Sequence, residues 1–179
     1  MINLSVEMGS MPTTSSVRMR QVVDWRASIW AGLLAGSTFL LLNVLAAPLA
    51  IGGNGWVMVR LIASIPMGEG ILTPLASYDL NALFAAFVTH YVLSIVFSMV
   101  LAYMIHRGGM RTGILGGAVF GLCLYCMNVY TLTWVFPWFF VMRGWAFLLT
   151  HVLFGAMSGG IYAGLEVEAS IPVEEEGGA

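Results

Sequence analysis

The chain has no lysine, and charged residues of either sign fill only 9% of its 179 positions. A soluble domain carries about 25%, so an ordinary water-facing surface is excluded. The seven basic residues are all arginines, the net charge is −2 and no basic run exists. Nucleic acid is therefore not an expected partner. No Asp, Glu, Lys or Arg interrupts four apolar runs, Ala27–Ile51, Asn81–Ile105, Thr112–Phe136 and Trp145–Leu165. Carboxylates at membrane depth, the usual carriers of ion coupling, are thus missing. So is a central Gly/Pro break of the kind that marks a discontinuous transporter helix. Alternating ten-residue segments are also absent, which excludes a transmembrane barrel. Cysteine is scarce: Cys123 and Cys126 form a CxxC followed by Met127 rather than His, so no c-type haem attachment is signalled. The pair reads as buried apolar filler.

What remains is hydrophobic, 59% of the chain. Each of the four runs exceeds the ~20 residues a helix needs to cross a hydrocarbon core. The expected fold is an all-α membrane protein with a four-helix domain over 26–165. Residues 1–25 form an N-terminal tail, 52–80 an interfacial loop and 166–179 an acidic tail, with 1–17 and 170–179 weakly ordered by composition. Val44-Leu45-Ala46-Ala47 imitates a signal-peptide cleavage site, but the run continues to Ile51 and reads as a retained helix. Arg18, Arg20, Arg26, Arg107 and Arg111 lie on one side and only Arg60 and Arg143 on the other. This places both termini in the cytoplasm.

The runs also echo one another. Arg26, Gly32, Gly36, Asn43 and Val44 recur 85 positions later as Arg111, Gly117, Gly121, Asn128 and Val129. Thr89-His90, Ser94, Ser98 and Ala102 recur 61 positions later as Thr150-His151, Gly155, Gly159 and Ala163. Two tandem helical hairpins related by a pseudo-twofold along the membrane normal are expected. Positions i, i+4 and i+11 share a helix face, so Gly32, Gly36 and Asn43 lie together, as do Gly117, Gly121 and Asn128. The stripes His90, Ser94, Ser98 and His151, Gly155, Gly159 suit close helix approach, since lipid supplies no hydrophobic drive for association.

Asn43, Asn128, His90 and His151 fall at similar depths, about 9–14 Å from their helix ends at 1.5 Å per residue. Polar side chains at that depth are costly and mark candidate sites. One reading is a ring of interhelical hydrogen bonds. The chemical alternative is a b-type haem or another pigment between His90 and His151, with no metal-ligand cluster otherwise evident. In the two connections on the side opposite the termini, Trp56–Ile65 suits an interfacial or re-entrant helix. Trp134–Trp145 is crowded with aromatics. Arg60 and Arg143 occupy similar places in these two connections, as parts of aromatic belts or of a docking surface or lid.

Asn128-Val129-Tyr130, Phe136-Pro137-Trp138-Phe139, Arg143-Gly144-Trp145, the Asp24-Trp25-Arg26 entry and Thr150-His151 together carry a resemblance over roughly residues 24–165. The chain resembles a family of small four-helix uncharacterised bacterial membrane proteins sometimes labelled sodium:proline-symporter-like. The resemblance implies the four-helix fold and a bacterial inner membrane, and brings no catalytic residues. The label implies coupled transport, whereas symporters of that name have more spans and a different repeat. The function expected is non-catalytic: an accessory or structural subunit of a larger respiratory or photosynthetic electron-transport complex. Its partners would be membrane lipid and other membrane subunits or a second copy of itself. The alternatives are a haem or pigment protein and a small transporter.

Overall fold

The computed structural model describes residues 18–167 and 170–173. A strand β1 (Arg18–Gln21) precedes α1 (Trp25–Ala50), α2 (Gly55–Met67), α3 (Leu80–Ile105), α4 (Met110–Cys126) and α5 (Trp145–Leu165), and β2 (Ser170–Val173) follows. Local chemistry sets the helix starts. The Asp24 carboxylate accepts the Arg26 and Ala27 amides, both at 3.0 Å, and Asp79 accepts those of Asn81 and Ala82 at 2.9 and 3.0 Å. These bonds satisfy donors that a helix start leaves unpaired. Gly144 brings no side chain to the start of α5, and the Tyr125 hydroxyl accepts its N–H at 3.0 Å instead.

Four helices are long and apolar enough to cross a membrane: Trp25–Ala50, Leu80–Ile105, Met110–Trp134 and Trp145–Leu165. The third departs from the expected uninterrupted run to Phe136. After Cys126 the backbone widens into a π-turn over Met127–Thr131 and then tightens into a 3-10 turn over Leu132–Trp134. Irregular backbone at such depth needs new partners for its polar groups. Arg143 supplies one, its Nε donating to the Val129 carbonyl at 3.2 Å while the guanidinium lies 4.6 Å from the ring centres of Tyr130 and Phe140.

Within each hairpin the helices meet on the small-residue stripes. A Cβ on Gly117 would run into the Gly155 carbonyl, one on Gly121 into the His151 carbonyl, and Gly113 and Gly159 are mutually as close. In the first hairpin, a Cβ on Gly32 would sit 2.9 Å from the Ser94 carbonyl. There Ser98 Oγ donates to the Ser28 carbonyl at 2.8 Å and His90 Nε2 bonds the Gly36 carbonyl at 2.8 Å. Ser28–Ser98, Gly32–Ser94 and Gly36–His90 are carried onto Gly113–Gly159, Gly117–Gly155 and Gly121–His151 by the same offsets of 85 and 61. The register is common to both hairpins. Serine side chains hold α1 and α3 apart, whereas α4 and α5 touch backbone to backbone.

Contacts between the hairpins are one-sided. α1 packs extensively on α5, while α3 and α4 barely meet beyond the turn that joins them. A twofold would have made these two seams alike. The α2 helix does not cross the bundle but lies over one end of it. Val59 and Ala63 pack on Ala82 and Ala86, and Met58 and Leu61 pack with Ala47, Tyr125, Val129 and Phe147. Arg60 is buried beneath this cap. Its Nε donates to the Ser77 carbonyl at 2.9 Å, one terminal nitrogen to the Ile71 carbonyl, and the other to Ser77 Oγ at 2.8 Å, with Asp79 at 3.6 Å. Trp138 Nε1 donates to Ser64 Oγ at 2.7 Å, tying the second connection to the first. The cysteines, expected inside, are exposed. The face of α4 that meets α5 is taken by Gly113, Gly117 and Gly121, which leaves Cys123 and Cys126 on the outward side.

The opposite end holds both chain ends. β1 pairs antiparallel with β2, Arg18 facing Val173. This corrects the reading of 170–173 as weakly ordered; the expectations for 1–17 and 174–179 lie outside the described residues. The pairing follows from polar contacts beside it. Tyr162 hydroxyl accepts the Asp24 amide at 3.3 Å and donates to Glu166 Oε1 at 2.9 Å, and Asp24 Oδ2 accepts the Val167 amide at 3.2 Å. The Ala27 amide, joined by those of Val167 and Arg26 and opposed by partial burial, holds the Asp24 carboxyl below its ordinary value of 3.8. A depressed carboxyl contributes stability above the unfolded pKa and loses it as pH falls through the folded one. Asp24→Ala is expected to cost about 1 kcal/mol at neutral pH. Melting in detergent checks this: the gap from the wild type should close once the pH is below the depressed value, and a constant gap would refute the cap.

Candidate functional site

A cavity of about 200 Å³ lies inside the end of the bundle that α2 covers. All five α-helices reach it, together with the turns after α4 and the Phe136–Met142 stretch. Its wall is mainly apolar, with Phe39, Phe97, Phe136, Phe139 and Phe154 supplying aromatic rings. Its polar members are Asn43, His90, Ser94, Asn128 and His151, and no Asp, Glu, Lys or Arg lines it. The four candidates at matched depth therefore border one space. Pockets of this kind bind through apolar area and use a few polar groups to orient the ligand.

The four side chains are not arranged as two equal pairs. His151 is buried; its Nδ1 lies 2.7 Å from the Phe147 carbonyl and its Nε2 3.4 Å from Asn128 Nδ2. A carbonyl can only accept, so the neutral ring carries its hydrogen on Nδ1 and accepts from the amide on Nε2. His90 makes the opposite choice. Its Nε2 donates to the Gly36 carbonyl at 2.8 Å, with Ser94 Oγ at 3.4 Å. Asn43 donates to the Phe39 carbonyl at 2.8 Å and accepts from the Thr150 hydroxyl at 3.2 Å. The sequence symmetry required the Asn43–His90 arrangement to match Asn128–His151, and it does not.

The open seam explains the difference. Asn43–Thr150 bridges α1 and α5, and the offsets turn this pair into Asn128–Thr89, which would bridge α3 and α4. Those helices stand apart, and Asn128 turns to His151 instead. Its Oδ1 has no hydrogen-bond partner among the described residues. Leu93 on α3 and Leu132 after α4 both line the cavity and, at 37% and 36%, are the exposed members of its wall, flanking this seam.

The histidines do not face one another across a free gap. The Phe39 ring stacks on His90 with centres 5.8 Å apart and meets His151 edge-on at 4.8 Å. A haem clamp would require both imidazoles on one iron, with Phe39 displaced. The volume adds a second obstacle, being little above the ~150 Å³ that accommodates benzene. A four-pyrrole macrocycle does not fit. Among the described residues no cluster of three His, Cys, Asp or Glu forms a metal site. Arg60 and Arg143 stay outside the cavity, bonding the backbone of the two connections. That role serves the cap and the π-turn.

Three participants were not foreseen. Phe39 lies four residues before Asn43 and so on the same face, but an aromatic within an apolar run gives no contrast. Thr150 appears in the echo without a role. Ser158 Oγ donates to Ser98 Oγ at 2.9 Å and closes the middle of the bundle; it stands one position off the Gly155/Gly159 stripe. No family model, curated protein or solved structure matches this chain.

Proposed function

We propose that this protein is a non-catalytic multi-pass membrane protein that holds a neutral lipophilic molecule in its cavity. The observation that carries the reading is the composition of the wall: aromatic and aliphatic, with amides and imidazoles but no charged Asp, Glu, Lys or Arg. An ion or charged solute would find no counter-charge there, whereas a lipophile with one or two polar atoms finds both area and anchors. Passage across the bundle is disfavoured by the packed Ser28, Ser98 and Ser158 layer, each nearly or fully buried. Holding a ligand fits an accessory subunit beside an electron-transport complex better than it fits a coupled transporter. The common register of the hairpins supports a tandem duplication, the family resemblance a bacterial inner membrane, and the arginine distribution an orientation with the β1–β2 end in the cytoplasm. In this reading the chain is kin to the small four-helix sodium:proline-symporter-like membrane proteins and lacks the transport activity their label implies.

Native mass spectrometry of protein extracted gently from its membrane tests the reading. A small-molecule adduct is expected on the wild type and not on Leu132→Trp, which fills the mouth. Identical spectra for the two proteins would refute it.

A further inference from the structure

The polar atoms around the cavity narrow the ligand class. With Nε2 of His90 donating to the Gly36 carbonyl, a neutral ring presents Nδ1 as an acceptor, and no partner engages it among the described residues. Asn128 Oδ1 is likewise unengaged, while its amide nitrogen lies at 3.4 Å from a histidine nitrogen, a long contact that a better acceptor would replace. An acyl chain in this space would leave those groups against hydrocarbon, at the cost that unpaired polar groups carry. The space is sized for one substituted six-membered ring, and phenylalanines surround it. The open seam at Leu93 and Leu132 gives such a ring a way in from the bilayer and leaves room for a tail to remain there.

We propose that the cavity is a site for a lipid-soluble quinone and its hydroquinone, entered between α3 and α4 and anchored at Asn128 and His90. This rests on the ligand-holding reading above. A quinone carbonyl accepts from the Asn128 amide N–H, and a hydroquinone hydroxyl donates to Asn128 Oδ1 or to His90 Nδ1. One amide thus serves both forms, because it carries donor and acceptor together. The ring lies among the phenylalanines, and the isoprenoid or alkyl tail passes out over Leu93 and Leu132. No electron transfer is assigned to the protein itself.

The test is titration calorimetry of the full chain in lipid nanodiscs with decylubiquinone, with decane as the tail-only control. Empty nanodiscs are subtracted as the partition background. One saturable site is expected for decylubiquinone. Asn128→Leu, which keeps the branched shape and heavy-atom count and removes the hydrogen bonds, is expected to weaken it about tenfold and to weaken decane binding not at all. Leu93→Trp, which crowds the cavity wall at the seam without touching either anchor, is expected to weaken quinone binding several-fold, and so keeps the test alive should Asn128→Leu fold poorly. Saturable quinone binding insensitive to both substitutions overturns the site. Decane bound at one site with no quinone preference overturns the quinone class and leaves the lipophile reading standing. If neither probe binds above the empty-disc background, both readings fall.

Discussion

Replacing Gly117 with leucine is expected to force α4 from α5 and leave little monodisperse protein in mild detergent. A Cβ at this position would overlap the Gly155 carbonyl oxygen, and Gly155 is bounded in the same way by the Gly117 carbonyl. The obstacle is backbone on both sides, so no side-chain rotation relieves it. Overpacking a core costs about 1–3 kcal/mol where side chains can adjust; here the cost is expected at or above the upper end. Nothing offsets it in a bilayer, where the added leucine gains no burial over contact with lipid. Gly164→Ala provides the comparison, since its Cβ would meet only the flexible end of Met110 at 3.5 Å. Thermal melting and size-exclusion chromatography read the difference. A Gly117→Leu protein that melts with the wild type would mean that α4 and α5 are not in backbone contact.

The second large effect is expected at Arg60. Arg60→Met keeps the aliphatic stem and removes every donor that serves Ile71, Ser77 and Asp79. Removing one partner of a buried charge pair costs about 3–5 kcal/mol. Asp79 is 30% exposed and can turn to water, which favours the lower end, about 3 kcal/mol. The loss is expected to appear first as protease cleavage between Gly68 and Ser77, before the membrane helices unfold. Arg60→Lys is expected to recover only part of the stability, because an ammonium on a flexible stem cannot reproduce the three-way fork. Equal stability and equal protease resistance in the methionine variant would refute the staple.

How far the sequence disclosed this depends on the kind of interaction. The four crossings were legible because hydrophobic length is a one-dimensional property, and their starts at Trp25, Leu80, Met110 and Trp145 lie close to the expected Ala27, Asn81, Thr112 and Trp145. The glycine stripes were legible because a 3.6-residue period fixes which positions share a face. The π-turn was not, since Asn128-Val129-Tyr130-Thr131 holds neither Gly nor Pro to mark a break, and the Arg143 that bonds the Val129 carbonyl stands in another segment. The burial of α2 was hidden for a related reason: Trp56 and Arg60 are what a helix at a water interface would also carry. The grouping of Asn43, Asn128, His90 and His151 around one space could be drawn from periodicity and depth. Their bonding could not, because it depends on which of two equivalent seams closes. Nothing in the matched residues Thr89 and Thr150 says that only the second will find its asparagine.

That unequal closure gives the molecule a front and a back within the plane of the bilayer. Along α1 and α5 the surface is sealed, and a neighbour seated there is a bystander. Along α3 and α4 a neighbour would act as a stopper over Leu93 and Leu132. On the quinone-site reading, access to the interior is then governed by who stands beside the protein, so that crowding, clustering or docking on one flank would change exchange with the lipid phase without any change of conformation.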